Sequence, residues 1–183
     1  DLLQSNVVVW VEGPSDRLYF NRWIDLWTDG TLKEYTHYQC VFHAGTLISY
    51  FSYDEPGSDT ELIEALKVNA NAIVLMDRDV DEEDGEVKAW VARISAEVEK
   101  MGVVGWITQV REVENYIPLD AIQAAFPSVS LTAPGQFERV FDSLERQGCG
   151  RFHKRKPEFA RRVCPHILRD SLTKTLDMAK WLD

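Results

Sequence analysis

The sequence predicts an α/β fold with a mainly parallel central sheet flanked by helices, and three observations predict it. Short apolar, β-branched runs at residues 6–11 and 71–76 have the composition of strands that are buried on both faces of a sheet. Strand-like and helix-like segments alternate along the first 110 residues, which is the order of a parallel sheet with crossover helices. The length of 183 residues suits one domain.

The first half of the chain begins with the strand at residues 6–11. Gly13 and Pro14 then favour a turn and a first helical turn. Apolar residues recur at i, i+3, i+4 and i+7 and predict an amphipathic helix that ends near residues 29–30; they are Phe20, Trp23, Ile24 and Trp27. The elements predicted after this helix are a strand at residues 38–43, a turn at 53–58 and a short helix at 61–68.

The second half of the predicted sheet begins at residues 71–76, an apolar run that ends directly in an acidic segment. A helix is predicted at residues 87–100 and a further strand at residues 103–110. Beyond Pro118 the pattern is mostly helical. We therefore expect a catalytic core at residues 1–118 and a helical extension at residues 119–183.

Cysteine usage and hydropathy limit the cellular setting. Cys40, Cys149 and Cys164 are an odd number without a CxxC pair, so the sequence predicts neither a disulfide framework nor a zinc site, and a reducing cytoplasm is expected. No apolar run approaches the roughly 18 residues of a membrane span. The chain begins with Asp1 rather than Met, which suggests a fragment of a longer protein or a trimmed chain. It contains no P-loop motif, so an ATPase part would be missing here or lie on another chain.

Charge is distributed unevenly along the chain, which carries a net charge of −10. Residues 1–85 contain 17 acidic and 5 basic side chains. Residues 151–169 contain seven basic side chains and one acidic one. An acidic body with a basic patch suits a protein that binds a divalent cation in one place and phosphate in another, although a solvated helix face would look the same. The nucleic-acid-binding residues predicted in this patch are Arg151, Lys154, Arg155 and Arg161.

Acidic residues follow three of the predicted strands. Glu12 comes after the first strand, Asp77 and Asp79 after the third, and Glu112 and Glu114 after the fourth. The carboxyl ends of parallel strands meet at one edge of a sheet, where functional sites collect. Asp16, four residues after Glu12, is expected to face the same crevice. Oxygen-rich carboxylate sites suit hard cations, so the sequence predicts a site for Mg²⁺, Mn²⁺ or Ca²⁺, with Mg²⁺ or Mn²⁺ expected.

These residues resemble the TOPRIM fold, which topoisomerases, bacterial primases and several nucleases share. The resemblance lies in a strand that runs into Glu12-Gly13 with Asp16 four residues on, and in a later strand that runs into Asp77-x-Asp79. The string REVENYI at residues 111–117 is similar to a segment of TOPRIM nucleases of the OLD (overcoming lysogenization defect) family. The string KPEFA at residues 156–160 resembles the segment of that family that carries a catalytic lysine.

The resemblance implies a Rossmann-like catalytic core and a divalent-metal-dependent endonuclease that hydrolyses DNA phosphodiester bonds with two bound metal ions. It makes Glu12, Asp77 and Lys156 catalytic, with Lys154 as the alternative lysine. The metal ligands that it implies are Glu12, Asp16, Asp77, Asp79 and one or both of Glu112 and Glu114. Glu114 could instead cap the turn that follows the strand, and Asp81 is a weaker candidate ligand.

The resemblance also implies a setting and partners. OLD-family TOPRIM domains are usually the C-terminal half of an ATPase–nuclease, so we expect an ATPase domain or subunit as partner and a role in antiphage defence or DNA processing. Homo-oligomerisation would then involve the absent part. Two alternatives stay open at the level of sequence: a TOPRIM ribonuclease that acts on structured RNA such as tRNA, and a non-catalytic metal-binding module that serves an ATPase.

Overall fold

The structure is a computed structural model that describes residues 6–42, 71–82, 85–87, 89–100 and 102–182. The turn predicted at residues 53–58 and the helix predicted at residues 61–68 lie outside the described residues. The described part contains a parallel sheet of four strands with helices packed against it, so the predicted α/β class and parallel sheet are confirmed.

The sheet has the strand order β2-β1-β3-β4, and all three strand pairs are parallel. The strands are β1 (Val7–Val11), β2 (Tyr38–Phe42), β3 (Ala72–Met76) and β4 (Val104–Ile107). The two central strands, β1 and β3, are the most apolar ones, as expected for strands covered on both faces. Their adjacency brings their carboxyl ends side by side, and this is where the acidic residues follow.

Seven α-helices accompany the sheet in the described residues. They are α1 (Pro14–Trp27), α2 (Ala89–Lys100), α3 (Leu119–Ala125), α4 (Val140–Arg146), α5 (Lys156–Val163), α6 (Arg169–Leu172) and α7 (Met178–Leu182). Short 3₁₀ helices lie at Val113–Tyr116, Phe152–Lys154 and Cys164–His166. None of the helices in the described residues is long and apolar enough to cross a bilayer.

The alternation of side chains along the strands divides the core between the two faces of the sheet. Val9 and Val11 of β1 face the larger cluster, which also contains α1 and helices of the C-terminal third. Val8 and Trp10 face a smaller cluster with Ile94 and Val98 of α2. Helix α5 packs directly on α1, and this contact carries the C-terminal residues to the end of the sheet where the acids lie.

The fourth strand is shorter than the sequence predicts, because it ends at Ile107 and not at Val110. The Thr108 N–H still bonds to the carbonyl of Met76 in β3, at 3.0 Å. The next N–H, that of Gln109, donates to the hydroxyl of Tyr116 at 2.9 Å and so leaves the sheet. Helix α2 likewise begins at Ala89, two residues after the predicted start.

Candidate metal centre

The first part of the site is the turn from β1 into α1. Glu12 directly follows the strand, and Pro14 occupies the first turn of the helix, where its missing N–H has no consequence. Asp16 is buried and folds back on the turn: its Oδ2 accepts a hydrogen bond from the Gly13 N–H at 2.9 Å. The Ser15 hydroxyl donates to Asp16 Oδ1 at 3.1 Å. Ser15 therefore supports the aspartate at the start of the helix.

The second part follows β3. Asp77 is held by the Val113 N–H, which donates to its Oδ1 at 2.8 Å, and Val113 belongs to the REVENY segment. Asp79 has a positive φ of 53° and is exposed. Its N–H donates to the carbonyl of Arg111 at 2.8 Å. The loop after β3 is thus fastened to the loop after β4 by two backbone donors.

The third part is the 3₁₀ helix Val113–Tyr116, with Glu112 at its N-terminal boundary. The Asn115 side chain accepts the Glu112 N–H at 3.3 Å and closes the turn. Glu114 lies inside the helix and is completely buried, whereas Glu112 is partly exposed. Carboxylate oxygens of Asp77, Glu112 and Glu114 all lie within 4.8 Å of one another. We call these three residues the carboxylate cluster.

Lys156 at the start of α5 completes the cluster. Its ammonium lies 3.0 Å from Glu112 Oε2 and 2.9 Å from Glu114 Oε2. The Phe141 ring covers the ammonium, with its centroid 5.9 Å from Nζ. The apolar face of α5 is anchored in the core by Phe159 and Ala160, so the lysine is carried by a fixed element. Lys154, the alternative lysine, is exposed in the preceding 3₁₀ helix.

The protonation of the cluster reflects crowded carboxylates in a dry environment. Burial raises the pKa of Glu12 to about 7, with Asp16 adding to the rise and Lys156 opposing it. Burial raises the pKa of Glu114 to about 8, although Lys156 again opposes the rise. The pKa of Asp77 is also raised, first by burial and then by the charges of Glu12 and Glu114. At these carboxylates, burial and mutual repulsion therefore outweigh the opposing charge of Lys156.

The pKa values of Asp16 and Lys156 also reflect burial opposed by neighbouring charges. Burial raises the pKa of Asp16 while the hydrogen bond from Gly13 and the charge of Lys156 lower it. For Lys156 burial favours the neutral amine, but the carboxylates of Glu114 and Glu112 outweigh it and the pKa is raised. Lys156 thus remains an ammonium ion across the physiological pH range.

Two oxygen atoms of the carboxylate cluster have no hydrogen-bond donor. Glu112 Oε1 and Glu114 Oε1 are both buried and unpaired. Leaving a buried carboxylate oxygen without a donor or cation is costly, so such an atom calls for a specific partner. Hard divalent cations take carboxylate oxygens as ligands. The donor set therefore fits Mg²⁺ or Mn²⁺.

The predicted site residues divide into three groups in the structure. Asp77, Glu112 and Glu114 come together in the cluster, and Glu12 and Asp16 lie close enough for their charges to raise the pKa of Asp77. Asp79 is exposed at the margin, where its charge still contributes to the raised pKa of Glu12. Asp81 instead forms an ion pair with Arg111.

The predicted basic patch lies on the surface outside the carboxylate cluster. Its four residues, Arg151, Lys154, Arg155 and Arg161, are all exposed. Arg155 pairs with Glu158 of α5 at 2.9 Å and packs over the Phe152 ring. Lys156 lies between Arg155 and Arg161 in the chain, so the patch adjoins the cluster in sequence.

Sequence reasoning did not identify Thr108 as part of the site. This buried residue accepts the Arg78 N–H at 2.8 Å with its hydroxyl oxygen, and the hydroxyl donates to the carbonyl of Val110 at 2.9 Å. It thereby holds the peptide between Asp77 and Asp79 against the end of β4. A threonine at the end of an otherwise apolar strand was the available signal.

No family model, curated protein or solved structure matches this chain. The geometry of the site is therefore the basis for assigning a function.

Proposed function

We propose that the chain is a divalent-metal-dependent endonuclease domain that hydrolyses DNA phosphodiester bonds, with a TOPRIM-like acidic centre of the OLD type. In this proposal it is the C-terminal nuclease of an ATP-dependent system for antiphage defence or DNA processing. The ATPase is another domain or a partner subunit.

The observation that carries the proposal is the pair of unpaired oxygens on buried Glu112 and Glu114 beside Asp77. One ammonium group, that of Lys156, faces this group of carboxylates at hydrogen-bonding distance. Like charges at this spacing destabilise one another unless a cation neutralises them. A cation-binding role accounts for the spacing, the burial and the unpaired oxygens together.

The residues that would hold the metal are Asp77, Glu112 and Glu114, with Glu12 and Asp16 beside them. Five carboxylates are enough to share two ions, and Asp79 borders the same loop. Divalent ions at such a centre lower the pKa of bound water and neutralise charge on the phosphoryl oxygens.

Lys156 supports a phosphoryl substrate in particular. Its ammonium is rigidly placed among the cluster's carboxylates, so it can neutralise charge that develops on a phosphate oxygen there. Because α5 is anchored in the core, the lysine needs little reorganisation to do so. A site for metal storage would have no use for a cation among its ligands.

The adjacency of β1 and β3 supports the TOPRIM-like assignment. It places the turn with Glu12 next to the loop with Asp77, and the Asp77 N–H hydrogen-bonds the Glu12 carboxylate. The REVENY segment adds its backbone to the same loop through Val113. Three of the four motifs of the resemblance thus meet at one group of carboxylates.

The test is cleavage of supercoiled plasmid, linear DNA and tRNA with Mg²⁺ or Mn²⁺, compared with EDTA. We expect metal-dependent plasmid nicking that Glu12→Gln and Asp77→Asn each reduce more than 100-fold. The matched control is Asp29→Asn, which neutralises an exposed aspartate that pairs with Arg169 and should leave nicking unchanged.

The other outcomes of this test are equally definite. Cleavage of tRNA without cleavage of DNA would make the domain a ribonuclease. If the domain binds the metal but cleaves no nucleic acid, and Lys156→Ala leaves metal binding unchanged, the domain would be a non-catalytic module. Absence of both cleavage and metal binding would overturn the proposal.

A further inference from the structure

A second feature lies next to the carboxylate cluster: a cavity of about 410 Å³ between the loop before α4, helix α4 itself and α3. Cavities of roughly 300–1,000 Å³ are the size that binds small organic ligands. The volume is enough for one nucleotide and too small for a folded partner.

Three of the elements that line the cavity also lead to residues in or around the cluster. Arg111, which lines it, immediately precedes Glu112. The lining residue Phe137 packs against the guanidinium of Arg78, 5.8 Å from its ring centroid. Helix α4 faces the cavity with Val140 and places Phe141 over the Lys156 ammonium. A molecule bound in the cavity would therefore lie beside the site proposed for the scissile phosphate.

The lining has two chemically different parts. Its apolar part contains Ile122, Val140 and the partly buried ring of Phe137, which together offer a surface for a flat ring. Its polar part contains three arginines, Arg111, Arg139 and Arg146, of which the last two are exposed at the surface. Aromatic rings stack on bases, and guanidinium groups form paired hydrogen bonds with phosphate.

The acidic side chains of the lining do not cancel this character. Glu138 is turned toward its own loop, where its Oε2 accepts the Gly135 N–H at 2.9 Å. Asp142 is the other carboxylate of the lining. Arg111 is paired with Asp81, so Arg139 and Arg146 are the arginines that an anionic ligand would meet. An anionic ligand with an apolar ring fits this combination better than a cationic or purely apolar one.

We propose that this cavity binds one unstacked nucleotide next to the scissile phosphodiester, with its base on Phe137 and its phosphate at Arg139 and Arg146. This inference rests on the proposed nuclease function and deepens it. It makes the preferred substrate a strand with at least one unpaired nucleotide, because a base inside a duplex cannot enter the cavity.

The test is binding of a 5′-phosphorylated single-stranded tetranucleotide, as DNA and as RNA, in EDTA so that metal-dependent cleavage cannot occur. Fluorescence anisotropy would compare the wild type with Arg146→Gln and Phe137→Leu. We expect about tenfold weaker binding for Phe137→Leu, which removes the ring on which the base stacks. Arg146→Gln removes a guanidinium that pairs with phosphate and should weaken binding by a similar factor. The matched control is Lys33→Gln, which replaces an exposed lysine outside both the cavity lining and the basic patch.

Equal affinity for a blunt 12-base-pair duplex and the tetranucleotide would overturn the inference. Binding that Arg151→Gln weakens and Arg146→Gln does not would overturn it as well, because the basic patch would then be the binding surface. Failure of the nuclease proposal can be distinguished from failure of the cavity assignment. Tetranucleotide binding that depends on Arg146 without any cleavage would remove the activity and leave the cavity assignment standing.

Discussion

Glu114 offers the sharpest test of the carboxylate cluster, through the dependence of stability on pH. Its pKa in the folded protein is about 8, against an ordinary value of 4.5. A group whose pKa is raised on folding contributes stability that is fully present below the unfolded pKa and lost as the pH rises through the folded one. The metal-free protein should therefore lose stability between about pH 4.5 and pH 8.

The size of the effect follows from the shift. At about 1.4 kcal/mol for each pKa unit, the change at Glu114 corresponds to a loss of up to about 5 kcal/mol across this window. In a protein of this size a change of 1 kcal/mol moves Tm by roughly 2–4 °C, so the loss corresponds to about 10–20 °C. The raised pKa values of Glu12 and Asp77 act in the same direction.

The assay is thermal and urea unfolding at pH 5, 6, 7 and 8, in EDTA and in Mg²⁺. Glu114→Gln removes the titrating group at constant shape, so its stability should depend less on pH than that of the wild type. The matched control is Glu99→Gln, which replaces an exposed glutamate near the end of α2 and should keep the wild-type dependence. Mg²⁺ should stabilise the wild type by about 2.7 kcal/mol at 100 times its Kd, and more strongly at pH 8 than at pH 5.

Two results would contradict the predicted dependence of stability on pH. A Tm in EDTA that stays level or rises from pH 5 to pH 8 would show that the carboxylates are not crowded in the folded protein. A Glu114→Gln variant with the wild-type slope would show that Glu114 is not the titrating group.

Three further predictions concern neighbouring residues. Asp77→Asn keeps an oxygen that accepts the Val113 N–H but removes one carboxylate from the crowded cluster. The Tm of this variant in EDTA at pH 8 should therefore equal or exceed that of the wild type, while plasmid nicking falls more than 100-fold. A lower Tm would contradict repulsion among the carboxylates. Lys156→Met should reduce plasmid nicking by about 100-fold. Mg²⁺ binding, measured by calorimetry, should be at least as tight as in the wild type, because a cation that competes with Mg²⁺ has been removed. Weaker Mg²⁺ binding would contradict the role of Lys156 as a counter-ion of the carboxylates. Thr108→Val leaves the Arg78 N–H without its acceptor and should lower the free energy of unfolding by about 1–3 kcal/mol in urea titrations, and an unchanged midpoint would show that water replaces the hydroxyl.

Much of the architecture could be predicted from the sequence because the central strands have a distinctive pattern. The continuous apolar runs of β1 and β3 occur where strands are buried on both faces, and the parallel sheet confirms that interpretation. The boundary of β4 could not be predicted in the same way. The strand ends there because the Gln109 N–H donates to the hydroxyl of Tyr116, seven residues further on, instead of to a neighbouring strand.

The chain alone shows which acidic residues follow the strands and that a lysine comes later, in the C-terminal third. How these residues divide between buried and exposed positions depends on the folded protein. Glu114, which the sequence left open as a cap, is the fully buried member of the cluster, and Glu112 lies at the helix boundary. Asp79, equal to Asp77 in the motif, is turned outward by its left-handed backbone. Spacing along the chain fixes which residues lie near the end of each strand. The direction in which each carboxylate points depends instead on local backbone dihedral angles and on hydrogen bonds to residues far away in sequence.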